Sequence, residues 1–169
     1  MSTAARALST TLRRWVTGVP LSRVRFQVAC VCYRIKDGEV SFLLVRTRSG
    51  RWTFPKGGVE PGLTCAESAA REAFEEAGVY GRIAPRPLTR YLHSKRTSLR
   101  EGRRQELAVE AYLMQVLRQG TPLEDGREPT WFSPEKTRKR VLEGRSAEYG
   151  EAIAAVVDRA LHRILRHHR

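Results

Sequence analysis

The chain has 169 residues, of which 41% are hydrophobic and 29% charged, enough for one domain with a real core and too short for two comfortable ones. No apolar run approaches the length of a membrane-spanning helix; stretches such as Phe42-Leu43-Leu44-Val45 are strand-sized. The charge is the unusual feature: 31 Lys and Arg against 18 Asp and Glu give +13, a surface that attracts nucleic acid, anionic lipid or polyphosphate.

Residues 1–23 form a basic extension with Arg6, Arg13, Arg14 and Arg23 and no acid, and Leu8, Leu12, Trp15, Val16 and Val19 recur at helical spacing. The segment reads as an amphipathic helix lying on the domain, on a membrane surface or on nucleic acid, and its Arg- and Ser/Thr-rich composition also suits an organellar transit peptide. Nucleic acid is therefore a possible partner through this arm. The expected compartment is the cytoplasm, with a mitochondrion or other organelle as the alternative. Cys30, Cys32 and Cys65 show no CxxC pairing, so buried thiols in a reducing compartment are expected, with no zinc site and no disulfide framework.

From Val24 the pattern changes to strands, with a hairpin expected across Lys36-Asp37-Gly38-Glu39 and a returning strand over Val40 to Arg46. After the turn at Ser49-Gly50 and a short extended piece, Lys56-Gly57-Gly58-Val59-Glu60-Pro61-Gly62 is a rigid Gly/Pro loop. Thr64 and Glu67 have capping-box spacing, so a helix is expected from about Cys65 to Ala77 with Gly78 ending it. Its apolar face is mostly alanine, which permits close approach to its neighbours. Further strands are expected near Ile83, over Thr89–Ser94 and over Glu106–Val116, with a polar, basic loop from Lys95 to Arg104. Ser133-Pro134 reads as the start of a helix, and residues 147–165 as a last amphipathic one. The expected organisation is an extension 1–23, a catalytic core 24–145 and a C-terminal helix 146–169 packing on that core.

Glu72, Glu75 and Glu76 fall at i, i+3 and i+4, on one side of the expected helix. Carboxylates this close repel unless cations neutralise them, and hard oxygen donors suit Mg²⁺, which keeps waters and bridges to phosphates. Spacing alone also fits a solvated acidic helix face.

The surrounding letters decide between the two. Gly57, then five residues, Leu63, seven more, and Arg71-Glu72-Ala73-Phe74-Glu75-Glu76-Ala77-Gly78-Val79 resemble the Nudix box, G-x5-E-x7-R-E-U-x-E-E-x-G-U with U apolar. The resemblance extends from about Arg25 to Leu142. It implies an α/β fold, the Nudix α/β/α sandwich with a mixed sheet between helices, and a Mg²⁺-dependent phosphoanhydride hydrolase in which Mn²⁺ can replace Mg²⁺. It implies that Glu72, Glu75 and Glu76 hold the metals with the Gly57 carbonyl, and that Arg71 orients a glutamate, its i,i+4 partners being Glu67 and Glu75. The sequence departs from the box at Leu63, where the family has Glu. Glu110 and Glu106 are the candidates to replace that carboxylate from a strand, Glu110 as a metal ligand.

The loop Phe54–Gly62 and the segment Trp131-Phe132-Ser133-Pro134-Glu135 resemble those of diadenosine polyphosphate and diphosphoinositol polyphosphate hydrolases. Basic residues flank the expected site: Arg46, Arg48, Arg51, Lys56, Lys95, Arg96, Arg103 and Arg104. Several cations around one pocket suit a substrate with many phosphates. Removal of a pyrophosphate or cap from an RNA 5′ end is the alternative, and a nucleotide-sensing module without catalysis is another.

Overall fold

A computed structural model describes residues 24–96 and 104–168, with the side chains of 93–96 and 104–105 excepted. The expected N-terminal helix and residues 97–103 of the expected basic loop lie outside the described residues. The described residues belong to two contact units, one holding residues 24–26, 92–96 and 104–108 and the other 27–91 and 109–168. Among the described residues the first contains only strand ends.

The hairpin forms as expected. β1 (Val24–Lys36) and β2 (Glu39–Arg46) pair antiparallel from Lys36↔Glu39 to Tyr33↔Phe42. Asp37 and Gly38 both lie at positive φ, 53° and 78°, the turn whose twist matches that of the strands it joins. β2 is flanked by β3 (Trp52–Thr53) and β8 (Thr130–Phe132), and β4 (Lys56–Gly57) pairs with β1, all antiparallel. β5 (Val79–Ile83) pairs antiparallel with β7 (Arg104–Gln119), β6 (Thr89–Arg96) lies beside β7, and β7 lies beside β1. The strand order is thus β3-β2-β1-β7-β5.

Two strands depart from the sequence expectation. β6 and β7 run further than expected, so Lys95, Arg96 and Arg104 belong to strands rather than to a loop. In β7 the residues Ala108 through Tyr112 are all buried, Glu110 among them at 5% exposure. Successive strand residues point to opposite faces, so this unbroken burial means that both faces of β7 are covered along this stretch.

α1 (Cys65–Ala77) has the predicted capping box: the Thr64 hydroxyl accepts from the Glu67 amide at 3.1 Å and the Glu67 carboxylate accepts from the Thr64 amide at 2.7 Å. Ala66, Ala69, Ala73 and Ala77 are buried, and the helix lies against β4 and β5. Gly78 ends it in the left-handed conformation at φ 68°, its amide donating to the Ala73 and Phe74 carbonyls. The connection after β7 is tied to this end of the helix. The Gly120 amide donates to the Gly78 carbonyl at 2.7 Å, and the Leu123 and Glu124 amides to the Glu75 carbonyl at 2.9 and 3.0 Å. These bonds satisfy carbonyls that a helix end leaves without partners.

α2 (Pro134–Leu142) starts at Ser133, with Pro134 in its first turn, and α3 (Ala147–His167) starts at Ser146. α2 packs on α3 and on β2, β3 and β8. α3 buries Ile153, Val156, Val157, Ala160 and Ile164 of the stripe expected from its periodicity, while Leu161 of that stripe is half-buried and Leu165 is exposed. No helix among the described residues is long and apolar enough to cross a membrane. Cys30 and Cys32 are buried, Cys65 is half-buried, and all three are free thiols.

Candidate active site

The capping box and the glycine stop set the phase of α1, and that phase turns Glu72 and Glu76 inward. Glu76 is 4% exposed, Glu72 is half-buried, and Glu75 has a side-chain exposure of 25%. Short β4 runs beside them. A Cβ added to Gly57 would fall inside the Glu72 carboxylate, so only glycine lets that carboxylate lie against the strand. The Lys56 amide donates to Glu76 Oε2 at 3.3 Å.

Each carboxylate rests on a different support. Arg71 Nε donates to Glu75 Oε1 at 2.8 Å and lies 4.0 Å from Glu60 Oε1. The expected Arg71–Glu67 pair is replaced by this contact, because the Glu67 carboxylate is taken by the capping box. Glu76 Oε1 is paired with Arg127 Nη2 at 2.9 Å, and Arg127 also holds Glu124 and donates to the Arg46 carbonyl at 3.3 Å.

Burial first, then the charges of Glu75, Glu124 and Glu60, push the Glu72 carboxyl up to about 7; Arg127 acts against this. Burial also pushes Glu76 up to about 7, with Arg127 and the Lys56 amide opposing and Glu72 and Glu124 adding to the shift. The mutual repulsion expected from the spacing is therefore present, and a cation placed between these groups would relieve it.

The oxygen donors and the space left at Gly57 fit a divalent ion that favours hard ligands. Among the described residues, however, no three acidic, His or Cys side chains are already drawn around one point. Arg71 and Arg127 hold Glu75 and Glu76 instead.

Glu110 is placed elsewhere. Arg90 Nε donates to its Oε1 at 2.8 Å and the Tyr112 hydroxyl to its Oε2 at 2.6 Å, so both oxygens are engaged in a network of their own. Glu106 is half-buried in β7. Trp52 and Tyr112 are buried, and Trp52 packs edge-on against Phe132 at 5.0 Å, which accounts structurally for the Trp131-Phe132 segment.

The basic residues divide into groups. Arg46 and Arg48 line a cleft of about 320 Å³ together with Glu124 and Arg127. Arg46 is partly occupied, with Nη1 on the Gly50 carbonyl at 2.5 Å, Nε 3.4 Å from Glu128, and the guanidinium 4.0 Å from the Trp52 ring centre. Arg51 and Lys56 turn toward the α2–α3 connection, Arg51 to the Gly144 carbonyl at 3.2 Å and Lys56 to the Tyr149 hydroxyl at 3.5 Å. The side chains of Lys95, Arg96 and Arg104, and Arg103 altogether, lie outside the described residues.

Three charged residues of the site are missing from the sequence reading: Glu60, Glu124 and Arg127. Glu60 lies inside the glycine-rich loop and was open to discovery there. Glu124 and Arg127 lie about fifty residues from α1 in a loop without periodicity, brought in by backbone bonds to Glu75 and Gly78 and by the Arg46 amide donating to the Arg127 carbonyl.

A family model for the NUDIX domain matches residues 24–155. The chain belongs to the NUDIX family. Diphosphoinositol polyphosphate phosphohydrolase 2 of Rattus norvegicus is 40% identical over 58 residues, which are 34% of this chain and 32% of the relative. Diphosphoinositol polyphosphate phosphohydrolase 3-alpha of Homo sapiens is 38% identical over the same length, 35% of that protein. The match thus spans about a third of these relatives. Among solved structures, a C. elegans Ap4A hydrolase in a binary complex aligns with a TM-score of 0.59 and 20% identity, covering 83% of this chain and 97% of that one. The NUDIX domain of Shewanella oneidensis NrtR, complexed with ADP ribose, aligns at 0.62 and 16% identity, covering 97% and 99%. At these identities the likeness is one of fold, and that fold is the NUDIX α/β/α sandwich with a mixed sheet expected from the sequence.

Proposed function

We propose that this NUDIX chain hydrolyses a phosphoanhydride bond in a small polyphosphate-rich substrate, such as a diphosphoinositol polyphosphate or a diadenosine polyphosphate. The observation that carries the reading is the inward-turned carboxylate pair: Glu72 lies against Gly57, Glu76 accepts from the Lys56 amide, and burial and neighbouring carboxylates push both up to about 7. Arg127 offsets part of this cost at Glu76, and a divalent cation would relieve what remains at Glu72. The named relatives and the cations Arg46, Arg48, Arg51 and Lys56 support the substrate class, with Lys95 and Arg96 as further candidates.

Glu72, Glu75 and Glu76, with the Gly57 carbonyl, would hold Mg²⁺ or Mn²⁺. That ion supplies charge to polarise a phosphoryl oxygen and to acidify an attacking water. Arg71 keeps Glu75 oriented. Arg127 keeps Glu76 oriented and can neutralise a phosphate as it does a carboxylate. Because burial and neighbouring carboxylates raise both groups toward neutrality, binding of the ion would compete with their protonation in the neutral range. Glu110 joins the reaction only if Arg90 and Tyr112 release it.

The +13 charge favours a second reading, hydrolysis at an RNA 5′ end, in which the surface tracks the phosphate backbone. One experiment separates these and the non-catalytic alternative. The protein and its Glu75→Gln variant are incubated with Mg²⁺ and diphosphoinositol polyphosphate, diadenosine polyphosphates, nucleoside triphosphates or 5′-triphosphate RNA, and products are followed by chromatography. Metal- and Glu75-dependent cleavage of the first two classes is expected. Cleavage of RNA alone supports the second reading, and binding without any cleavage points to a sensing module and to Leu63 as its origin.

A further inference from the structure

The far end of the β5–β7 pair carries an exposed aromatic cleft that the proposed hydrolysis leaves unused. Tyr80 and Arg118 lie directly opposite each other across the two strands, so their side chains leave on the same face, about 5 Å apart at Cβ. The register then slips by one residue between Tyr80 and Gly81, and Leu117 is left without a partner. A Cβ on Gly81 would fall on the Gln115 carbonyl oxygen, so glycine is what lets the two backbones close up beside this bulge. Past the bulge Leu117, Arg118, Gln119 and Gly120 are all exposed.

Tyr80, Arg118, Gln119 and Gly120 line a cleft of about 320 Å³. The Tyr80 ring rests on Phe74 of α1, with centroids 4.7 Å apart and planes tilted by 38°. That contact holds the ring in place, while its 53% exposure leaves surface for a second planar group. A single exposed aromatic needs no explanation; here it has polar company. Gln119 Oε1 accepts from the Trp131 indole at 2.8 Å, which occupies the amide oxygen within the protein and leaves the amide nitrogen to donate. Among the described residues no ion pair or hydrogen bond engages the Arg118 guanidinium.

A stacking ring, an unengaged guanidinium and an amide donor are the groups that take an unpaired nucleotide: the base on the ring, its edge on the amide, the phosphate on the guanidinium. The cleft is open and offers one cation, which suits one unit of a chain better than a free nucleotide. The charge of +13 draws the remaining phosphates of such a chain to the surface. We infer that Tyr80, Arg118 and Gln119 form an accessory site for single-stranded nucleic acid, which holds one unstacked nucleotide. No hydrogen bond or ion pair among the described residues joins these side chains to Glu72, Glu75 or Glu76. Binding at the cleft is therefore separate from hydrolysis and holds whichever phosphoanhydride is cleaved.

The test is fluorescence anisotropy of the full chain with a labelled oligouridylate in EDTA, where the metal-dependent reaction is off. The same strand paired with oligoadenylate serves as the duplex probe, and the deoxy counterpart shows whether RNA or DNA is preferred. The variants are Tyr80→Ser, Tyr80→Phe, Arg118→Gln and, as a control for total charge, Arg159→Gln on the exposed face of α3. Tyr80→Ser is expected to weaken the single strand about tenfold and the duplex less than about twofold, because a paired base cannot leave its stack for the ring. Tyr80→Phe keeps the ring and should stay within about twofold of wild type. Arg118→Gln should weaken the single strand about threefold or more and lower the salt slope by about one, with Arg159→Gln within about twofold. Since the Arg118 side chain is exposed and unengaged, its loss leaves the fold intact. Wild-type affinity in Tyr80→Ser, an equal loss on duplex, or no larger loss in Arg118→Gln than in Arg159→Gln would overturn the site. Displacement of the probe by free uridine monophosphate as effectively, nucleotide for nucleotide, as by unlabelled oligouridylate would overturn the assignment to a chain.

Discussion

Glu72 and Glu76 hold their protons to about pH 7 in the folded chain against an ordinary value of 4.5. A raised carboxyl pKa means that the folded state binds more protons than the unfolded state between those values. Their contribution to stability is therefore full below about 4.5 and is lost as pH rises to about 7. In EDTA, Glu72→Gln should gain on wild type by on the order of 1 kcal/mol between pH 5 and pH 8, a figure reduced for the partial exposure of Glu72. Urea unfolding at the two pH values measures it, and a gap that does not grow with pH would reject the repulsion. Mg²⁺ should stabilise wild type more at pH 8 than at pH 5, since ligands must be deprotonated to bind. At the same scale, Gly57→Ala places a methyl group inside the Glu72 carboxylate. It should lower kcat by roughly a hundredfold or more, as displaced catalytic groups do, while circular dichroism stays that of the folded protein; wild-type turnover would separate Gly57 from the site. The glycine was legible in the box pattern. Its reason, the carboxylate resting on it, was not, because that contact joins a strand and a helix separated by a loop.

At the scale of elements, α1 is specified locally at both ends. Thr64→Ala removes one half of the capping box and should cost about 1 kcal/mol in chemical denaturation; an unchanged midpoint would mean that tertiary packing alone holds the first turn. Gly78 carries two demands, a left-handed φ of 68° and closeness to the Gly120–Pro122 backbone. The helix stop was readable from the sequence as a glycine after a periodic run, whereas the approach of the 120–128 loop was not. That loop brings Arg127 to Glu76. Arg127→Ala should leave Glu76 buried without its cation, lowering kcat by on the order of tenfold or more and raising the pH of the acidic limb of the rate profile. An unshifted limb would show that Arg127 does not act through Glu76. Strand β7 gives the complementary lesson: its existence was readable from the sequence, whereas the burial of both its faces from Ala108 through Tyr112 depends on what packs over the sheet.

At the scale of the molecule, the charge of +13 acts on any polyanion, whichever groups do the chemistry. Association with long RNA should weaken steeply between about 50 and 200 mM salt, whereas KM for a small polyphosphate held by a few positioned cations should change far less. Filter binding and initial rates over the same salt series compare the two, and equal slopes would favour RNA as the ligand that the surface is built for.

The sequence by itself determined the family, the hairpin, the caps of α1, the start of α2 at Ser133-Pro134, and the three carboxylates on one turn of α1. All of these depend on spacing within a few residues, where covalent geometry and local hydrogen bonding dictate the outcome. Only the tertiary structure decided what those carboxylates meet. It set Gly57 beneath Glu72, Arg127 and Glu124 beside Glu76, Glu110 between Arg90 and Tyr112, and Lys56 and Arg145 against Tyr149. Such pairings come from segments tens of residues apart, brought together by the burial of apolar surface, and a pattern of neighbours along the chain carries no record of them.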